Sequence, residues 1–292
     1  MVDFKREALV STEWLADNLA APDLRVVDAS LYLPGEGLDA RQEYETQHIP
    51  GAVFFDIDAI KDPGSDLPHM LPPPHIFSSK VRKLGLGDGL RLVIYDQRGI
   101  FSAPRVWWTF RYFGHEEVAV LDGGLPKWLN EGRPVEEGET QPEERHFTPR
   151  MNSLLLRDRG QLLANLTGKA DQVIDARSRA RFEGSAPEPR QGLRAGHIPG
   201  SRNLPFTELI DAQRQTFLDN ATLRQRFAAA GVDQQRPVVA TCGSGVTAAV
   251  LALGLHRLGS RDVAVYDGSW SEWGLPGDNP VESGPATTTG PA

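Results

Sequence analysis

The single cysteine of this 292-residue chain opens a glycine-rich stretch, Cys242-Gly243-Ser244-Gly245-Val246-Thr247. A short apolar run from Pro237 to Thr241 precedes it, and apolar residues at helical spacing follow it as far as Leu258. A turn between a buried strand and a helix directs backbone N–H groups and the positive end of the helix at the sulfur. Such surroundings favour the thiolate, which is the nucleophilic form of cysteine. The pattern therefore predicts a nucleophile rather than an inert buried thiol, and no second cysteine is present to share a zinc ion.

The chain repeats its own motifs in the same order, at nearly constant spacing. His48-Ile49-Pro50-Gly51 recurs 149 residues later as His197-Ile198-Pro199-Gly200. An aspartate that ends an apolar run is also repeated, at Asp28 and Asp175. An Asp-Gly pair begins at Asp122 and again at Asp267, and each is followed six residues later by a tryptophan, Trp128 or Trp273. Several ordered matches at one period indicate a duplicated domain.

Short apolar runs alternate with helix-like segments in both copies, which predicts two tandem α/β domains. Each is expected to contain a mostly parallel sheet with helices on both faces. The sequence places a first domain at 1–133, a linker at 134–152, a second domain at 153–282 and a flexible tail at 283–292. Cys242 comes directly after a strand of the second copy, at the edge of an open α/β sheet where ligands bind.

The first copy has no cysteine at the corresponding place. Counting from the preceding strand puts Asp96 opposite Cys242, whereas counting from the following helix puts Gln97 there. Neither side chain is a thiol, so the first domain is expected to form one wall of a site in the cleft between the domains.

The composition narrows the class of partner. With 31 Lys+Arg against 39 Asp+Glu, the net charge of −8 argues against nucleic-acid or membrane-surface binding. One cysteine cannot form an intramolecular disulfide, which is typical of a reducing compartment. The first 21 residues contain six charged residues and no apolar core of a signal peptide, and no long apolar run occurs elsewhere. We therefore expect a cytoplasmic protein without a membrane segment.

The duplicated motifs and the cysteine loop resemble those of the two-domain rhodanese (sulfurtransferase) family, from about Trp14 to Trp273. Among its members, the loop is similar to that of the enzymes that use 3-mercaptopyruvate. Relatives that use thiosulfate typically carry an Arg-Lys pair after the cysteine, where this chain has Gly243 and Ser244. A mercapto-acid carries its carboxylate farther from the reacting sulfur, so cations inside the loop are less useful to it.

The resemblance also implies roles for individual residues. Cys242 would carry the sulfur as a persulfide, and Arg181 and Arg190 would bind the carboxylate and carbonyl of the donor. Ser244 would act in a proton relay with Asp58 and His69. The rest of the loop would bind the substrate: Gly243, Gly245, Val246 and Thr247. From its position, Thr247 is also expected to cap the following helix, and His48 and His197 are expected to stabilise their turns.

The reaction that the resemblance implies moves the sulfur of 3-mercaptopyruvate to an acceptor and releases pyruvate. The donor is a small molecule, and the acceptor is a small thiol, a protein thiol such as thioredoxin, or cyanide. No metal or organic cofactor is expected.

Three other functions fit parts of the pattern. The nearest is a thiosulfate:cyanide sulfurtransferase with the same persulfide chemistry. A cysteine phosphatase uses a similar loop but needs an arginine six residues after the cysteine, where this chain has Ala248. A noncatalytic binding module, in which Cys242 is incidental, is the third.

Overall fold

A computed structural model describes residues 3–33 and 35–286 of the chain, which divides into two compact units. Unit 1 consists of Met1–Ser65, Leu71–Asn152 and Ile210–Phe217, and unit 2 of Asp66–Met70, Ser153–Leu209 and Leu218–Ala292. Each unit therefore contains a short segment from the other half of the sequence. We call Ile210–Phe217 the arm of unit 1 and Asp66–Met70 the arm of unit 2.

Each unit contains a five-stranded sheet in which neighbouring strands are parallel. The strands of unit 1 are β1 (Leu9–Val10), β2 (Leu24–Asp28), β3 (Val53–Phe54), β4 (Arg91–Tyr95) and β5 (Val118–Leu121). Those of unit 2 are β6 (Leu156–Arg157), β7 (Gln172–Asp175), β8 (Arg202–Asn203), β9 (Val238–Thr241) and β10 (Val263–Tyr266). The strand orders are β1-β5-β4-β2-β3 and β6-β10-β9-β7-β8, so the two sheets share one topology. The predicted pair of parallel α/β domains is confirmed.

Helices connect the strands in both units. Unit 1 contains α1 (Thr12–Asn18), α2 (Ala40–Thr46), α3 (Pro74–Lys83), α4 (Ala103–Tyr112) and α5 (Gly124–Asn130). Unit 2 contains α6 (Arg159–Gly168), α7 (Arg179–Phe182), α8 (Asn220–Ala229), α9 (Ala248–Arg257) and α10 (Ser269–Trp273), with 3₁₀ turns at Ser153–Leu155 and Phe206–Leu209. Among the residues that the structure describes, every helix is too short or too polar to cross a bilayer.

The sheet of unit 1 buries both of its faces. Alternate residues such as Val26 and Val93 pack with Leu15 of α1 and Trp128 of α5 in one cluster, because successive strand side chains point to opposite faces. Helix α4 packs on β4 and β5. A cluster of aromatic rings also forms in this unit, made of Phe55, Phe77, Phe110, Phe113 and Phe147.

Residues 134–152, the predicted linker, contain no helix or strand and lie in unit 1. Phe147 is buried in the aromatic cluster, and Glu136 forms a bridge with His48. The domain boundaries drawn from the sequence stay predictions. Of the predicted tail, residues 287–292 lie outside the described residues.

The repeated histidines stabilise equivalent turns. His48 Nδ1 lies 2.9 Å from the carbonyl oxygen of Tyr44, and the two rings stack. In unit 2, His197 Nδ1 lies 2.9 Å from the carbonyl oxygen of Phe182, again with stacked rings. Both histidines are buried. Their expected structural role is confirmed in both units.

Candidate active site

Cys242 lies directly after β9, between that strand and α9. Strand β9 is the central strand of its sheet, with β10 on one side and β7 on the other, and all four of its residues are buried. The position at the carboxyl end of a central parallel strand is the one that the sequence predicts. The cysteine is 2% exposed, so a donor must bring its sulfur into the loop.

The first turn of α10 fixes the backbone around the cysteine. The N–H of Trp270 donates to the carbonyl oxygen of Cys242 at 2.9 Å. The N–H and the hydroxyl of Ser271 donate to the carbonyl oxygen of Gly243 at 2.8 and 2.7 Å. Ser269 Oγ accepts the N–H of Cys242 at 3.2 Å. Two carbonyl oxygens that would repel a sulfur anion are thus engaged by α10.

The equivalent loop of unit 1 shows what this turn binds. Tyr95 pairs with Asp28 as Thr241 pairs with Asp175, so Asp96 rather than Gln97 occupies the place of Cys242. The carboxylate of Asp96 accepts N–H groups at 2.8–2.9 Å from Arg98, Phe101, Ser102 and Ala103. Burial raises the pKa of Asp96, and these N–H groups oppose that shift. This turn therefore surrounds a buried acidic group with backbone donors.

The other loop residues differ in burial and in backbone conformation. Ser244 and Val246 are buried, and Gly245 has φ +76°, a left-handed conformation that favours glycine. Thr247 occupies the N-cap position of α9, but its side chain makes no cap hydrogen bond and its backbone is helical. The predicted capping role of Thr247 is therefore wrong, because a capping side chain accepts an N–H from the second or third helical residue, typically from an extended backbone.

Arg181 lies against the cysteine loop. It is in the single turn of α7, and Glu188 Oε2 accepts from its Nη2 at 2.5 Å and from its Nε at 3.2 Å. A β-carbon placed on Gly243 would lie only 2.9 Å from Nη2 of Arg181. The guanidinium thus occupies the space that any side chain at residue 243 would enter.

Arg190 and His69 also come together. Nη2 of Arg190 lies 3.2 Å from Nε2 of His69, which belongs to the arm of unit 2 and is buried. His69 has φ +61°. In the arm of unit 1, Gln215 stands 146 residues later with φ +57° and packs on Gly99 of the Asp96 loop.

Asp58 belongs to unit 1, where its side chain is 56% exposed and 3.9 Å from Nζ of Lys61. Its place in a proton relay stays a prediction. So does the interdomain location of the site.

The family description "Rhodanese-like domain" matches two segments of the chain, residues 11–131 and 158–275. The chain belongs to the rhodanese family. The matched segments contain strands β2 to β5 of the first sheet and β7 to β10 of the second, and the second segment contains the cysteine loop.

Named relatives of this rhodanese match nearly all of it. The Arabidopsis thaliana protein "Thiosulfate/3-mercaptopyruvate sulfurtransferase 1, mitochondrial" is 45% identical over 95% of this chain and 78% of its own length. The human 3-mercaptopyruvate sulfurtransferase is 46% identical over 91% of each chain. Bovine thiosulfate sulfurtransferase is 45% identical, also over 91% of each.

A solved structure agrees with these relatives. The crystal structure of SseA from Escherichia coli, a 3-mercaptopyruvate sulfurtransferase, superposes with a TM-score of 0.83 at 40% identity. The match covers 91% of this rhodanese and all of the SseA chain.

Four further residues of this rhodanese site were not predicted from the sequence. Ser269 and Ser271 bind the loop backbone, and the repeated Asp-Gly pair, which precedes Ser269 in the second copy, is the signal that could have pointed to them. Glu188 and Arg177 form buried ion pairs behind Arg181. Glu188 stands inside the Pro-Glu-Pro-Arg stretch that ends at Arg190, but nothing in its spacing indicates which arginine it meets.

Proposed function

We propose that this rhodanese transfers the sulfur of 3-mercaptopyruvate, through a persulfide on Cys242, to a thiol or to cyanide. The main support is that the guanidinium of Arg181 lies against Gly243, which directly follows the nucleophile in the loop. A planar donor with a carboxylate and a carbonyl suits a fixed guanidinium. The chain is similar both to enzymes named for mercaptopyruvate and to one named for thiosulfate. The local geometry at Arg181 is therefore the basis for choosing between these two donors.

The proposed first step balances without a cofactor. The thiolate of Cys242 attacks the thiol sulfur of mercaptopyruvate, a sulfur–sulfur bond forms, and the carbon–sulfur bond breaks. Its electron pair goes to the pyruvate enolate, which takes the proton of the new persulfide to give pyruvate and Cys–S–S⁻. An acceptor then removes the outer sulfur: cyanide leaves as thiocyanate, and a thiol leaves as a persulfide. The Cys242 thiolate is regenerated.

Arg181 and Arg190 are assigned to the carboxylate and carbonyl of the donor, where negative charge grows as the enolate forms. The loop residues Gly243, Gly245, Val246 and Thr247 are assigned to substrate and persulfide binding. Ser244 and His69 are assigned to proton transfer, with Asp58 added by the family resemblance alone. The contact between His69 and Arg190 supports a shared site for these two residues.

A sulfur donor and an acceptor are required by the family chemistry. We assign the acceptor to a small thiol, to a protein thiol of the thioredoxin type, or to cyanide. The cytoplasm is the proposed compartment, because a lone thiol that must stay reduced suits a reducing environment.

Thiosulfate is the second candidate donor, favoured by the similarity to a bovine enzyme named for it. A dianionic donor without a carbonyl gains most from cations next to the cysteine, and this loop carries Gly243 and Ser244 there. Arg181 already fills the space of a side chain at 243. These features favour mercaptopyruvate.

A donor panel with intact-protein mass spectrometry tests the proposal. Incubation with mercaptopyruvate and no acceptor is expected to add about 32 Da, one sulfur atom, and to release pyruvate. Addition of cyanide should return the original mass and yield thiocyanate. Cys242→Ser should lose the adduct and lower turnover by at least about 10⁴-fold. Faster turnover of thiosulfate than of mercaptopyruvate would assign the chain to the second donor, and no adduct with either would reject the covalent mechanism.

A further inference from the structure

A chain of four charged side chains leads from β7 to the cysteine loop. Both carboxylate oxygens of Asp175, at the end of β7, accept from Arg177, with Nε to Oδ1 at 3.2 Å and Nη2 to Oδ2 at 2.7 Å. Nη1 of Arg177 donates to Oε1 of Glu188 at 2.7 Å. Oε2 of Glu188 then accepts from Arg181. Glu188 is thus shared by two arginines, one through each oxygen.

The inner part of this chain is held on every side. Arg177 is 0% exposed, donates to the carbonyl oxygen of Gly196 at 2.8 Å and stacks over Trp270 at 4.4 Å. The side chain of Glu188 is 5% exposed and lies between two prolines, Pro187 and Pro189, which restrict its backbone. Arg181 is 22% exposed and is the outermost member. This series of four charged side chains is therefore held firmly at Asp175, and its other end, Arg181, lies at the cysteine loop.

The geometry leaves one edge of Arg181 available. Glu188 takes the Nε and Nη2 side of the guanidinium. The end of the fork, with N–H groups on both Nη atoms, lies next to Gly243 and is suited to a second carboxylate or carbonyl.

Unit 1 shows that the fold does not require this chain of charges. Ser30 is the counterpart of Arg177: each stands two residues after its aspartate, and each donates its N–H to that aspartate at 2.8 Å. Asp28 has no ion-pair partner among the described residues, and yet the sheet of unit 1 has the same topology. Buried ion pairs are weak contributors to stability compared with apolar residues of the same volume. An arginine two residues after the strand-end aspartate is thus present in unit 2, which carries the cysteine, and is replaced by Ser30 in unit 1.

We propose that Glu188 is a positioning residue, which holds the guanidinium of Arg181 against Gly243 so that its free edge meets the carboxylate of the donor. This inference rests on the proposed function for the role of Arg181. Glu188 acts through Arg181 and touches no substrate. It also makes Gly243 a specificity residue, since a side chain there would displace the guanidinium that Glu188 fixes.

The direction in which Glu188→Gln changes the rate of attack on an anionic reagent distinguishes a positioning role from a purely electrostatic one. Glu188→Gln removes a negative charge near Cys242, so through-space electrostatics alone would speed attack on an anionic reagent. Loss of positioning has the opposite result, because the glutamine can satisfy only one of the two arginines and Arg181 leaves the loop.

The experiment compares alkylation of Cys242, the only cysteine, by iodoacetate and by iodoacetamide, followed by mass spectrometry of the full chain. The ratio of the two rates should fall about fivefold in Glu188→Gln, within the usual range for contacting residues. In an Arg181→Gln background, adding Glu188→Gln should change the ratio by less than about twofold. Glu208→Gln, which removes the half-buried partner of the exposed Arg179 in the same unit, is the matched control and should leave the ratio unchanged.

Mercaptopyruvate kinetics supply a second readout. The value of kcat/KM should fall by about tenfold in Glu188→Gln. In an Arg181→Gln background, the same change should have little further effect. Glu188→Asp, which keeps the charge on a shorter side chain, should recover part of the loss and serves if the glutamine variant does not fold. Turnover of mercaptopyruvate by the unchanged protein tests the proposed function separately.

Two results would overturn the inference: an alkylation ratio that stays constant or rises in Glu188→Gln, or equal effects of that change with and without Arg181. A fall in melting temperature without a change in the ratio would assign Glu188 to a structural role only.

Discussion

The contact between Arg190 and His69 sets the hydrogen-bonding role of one imidazole nitrogen. A guanidinium only donates hydrogen bonds, so Nε2 of His69, 3.2 Å from Nη2 of Arg190, is the acceptor. The tautomer of His69 that carries its proton on Nδ1 can accept this hydrogen bond.

Two substitutions of His69 distinguish the contribution of its imidazole ring from that of its left-handed backbone conformation. The left-handed φ of +61° is tolerated by asparagine better than by alanine. We expect His69→Asn to lower kcat/KM for mercaptopyruvate by about 10²-fold with little change in melting temperature, because the acceptor and proton carrier are lost. His69→Ala should lose similar activity and an additional ~1 kcal/mol of stability. Steady-state kinetics and urea titration check both. Full activity of the asparagine variant would exclude His69 from the reaction.

At the scale of the elements, the two copies of one strand have acquired different charges at the same position. Asp175 at the end of β7 is paired with Arg177, whereas Asp28 at the end of β2 is followed by Ser30. Burial raises the pKa of Asp28 from 3.8 to about 6, opposed by hydrogen bonds from Ser30 and Tyr95. The ionised form of Asp28 is therefore costly in the folded protein.

This shift predicts a pH dependence of stability. The folded-state pKa of Asp28 lies above the unfolded value, so its contribution is fully present below about pH 4 and is lost as the pH rises through about 6. Between pH 5 and pH 8, the free energy of unfolding should fall by about 1 kcal/mol more in the unchanged protein than in Asp28→Asn.

Urea titrations at pH 5 and pH 8 measure the difference. Asp17→Asn, at an exposed position in α1, is the control and should behave as the unchanged protein does. Equal pH dependence of all three proteins would mean that Asp28 titrates normally in the fold.

The elements also show where prediction from the sequence succeeds. The strands β4, β5 and β10 can be read from the sequence, because each coincides with a short apolar run bounded by polar residues, with Arg91 added at the start of β4. The strands β1, β3, β6 and β8 were not predicted, since two residues carry no periodic signal. The position of Cys242 was predicted because it depends only on the order of strand, turn and helix. The link from Glu188 to two arginines depends on loop conformation, which local pattern does not encode.

For the whole molecule, the exchanged arms are the feature that the sequence did not indicate. The arm of unit 1 is a small turn in which Ile210 pairs with Phe217, and the N–H of Phe217 donates to Asp122 at 2.8 Å. Gln215 of this arm packs on Gly99, which has φ +91°. The two arms carry no glycine at their left-handed residues, so composition gave no signal of a fixed turn.

The arms predict that a change in one half of the sequence destabilises the unit built mainly from the other half. Phe217→Ala should cost about 3 kcal/mol by removing a buried ring. Hydrogen–deuterium exchange should rise around Asp122 and Gly99 in unit 1. Leu223→Ala, only six residues away but buried in α8 of unit 2, is the matched control and should raise exchange in unit 2 instead. Increased exchange in unit 2 alone for the Phe217 variant would contradict the assignment of the arm.

The reciprocal arms also constrain the evolution of the chain. A gene duplication normally leaves either copy free to be deleted or separated as an independent protein. Here each copy has given a segment to the other, at Asp66–Met70 and Ile210–Phe217, and removal of either half would leave its sister incomplete. The copy without a cysteine therefore supplies part of the unit that carries it, so neither half of the sequence contains a whole unit.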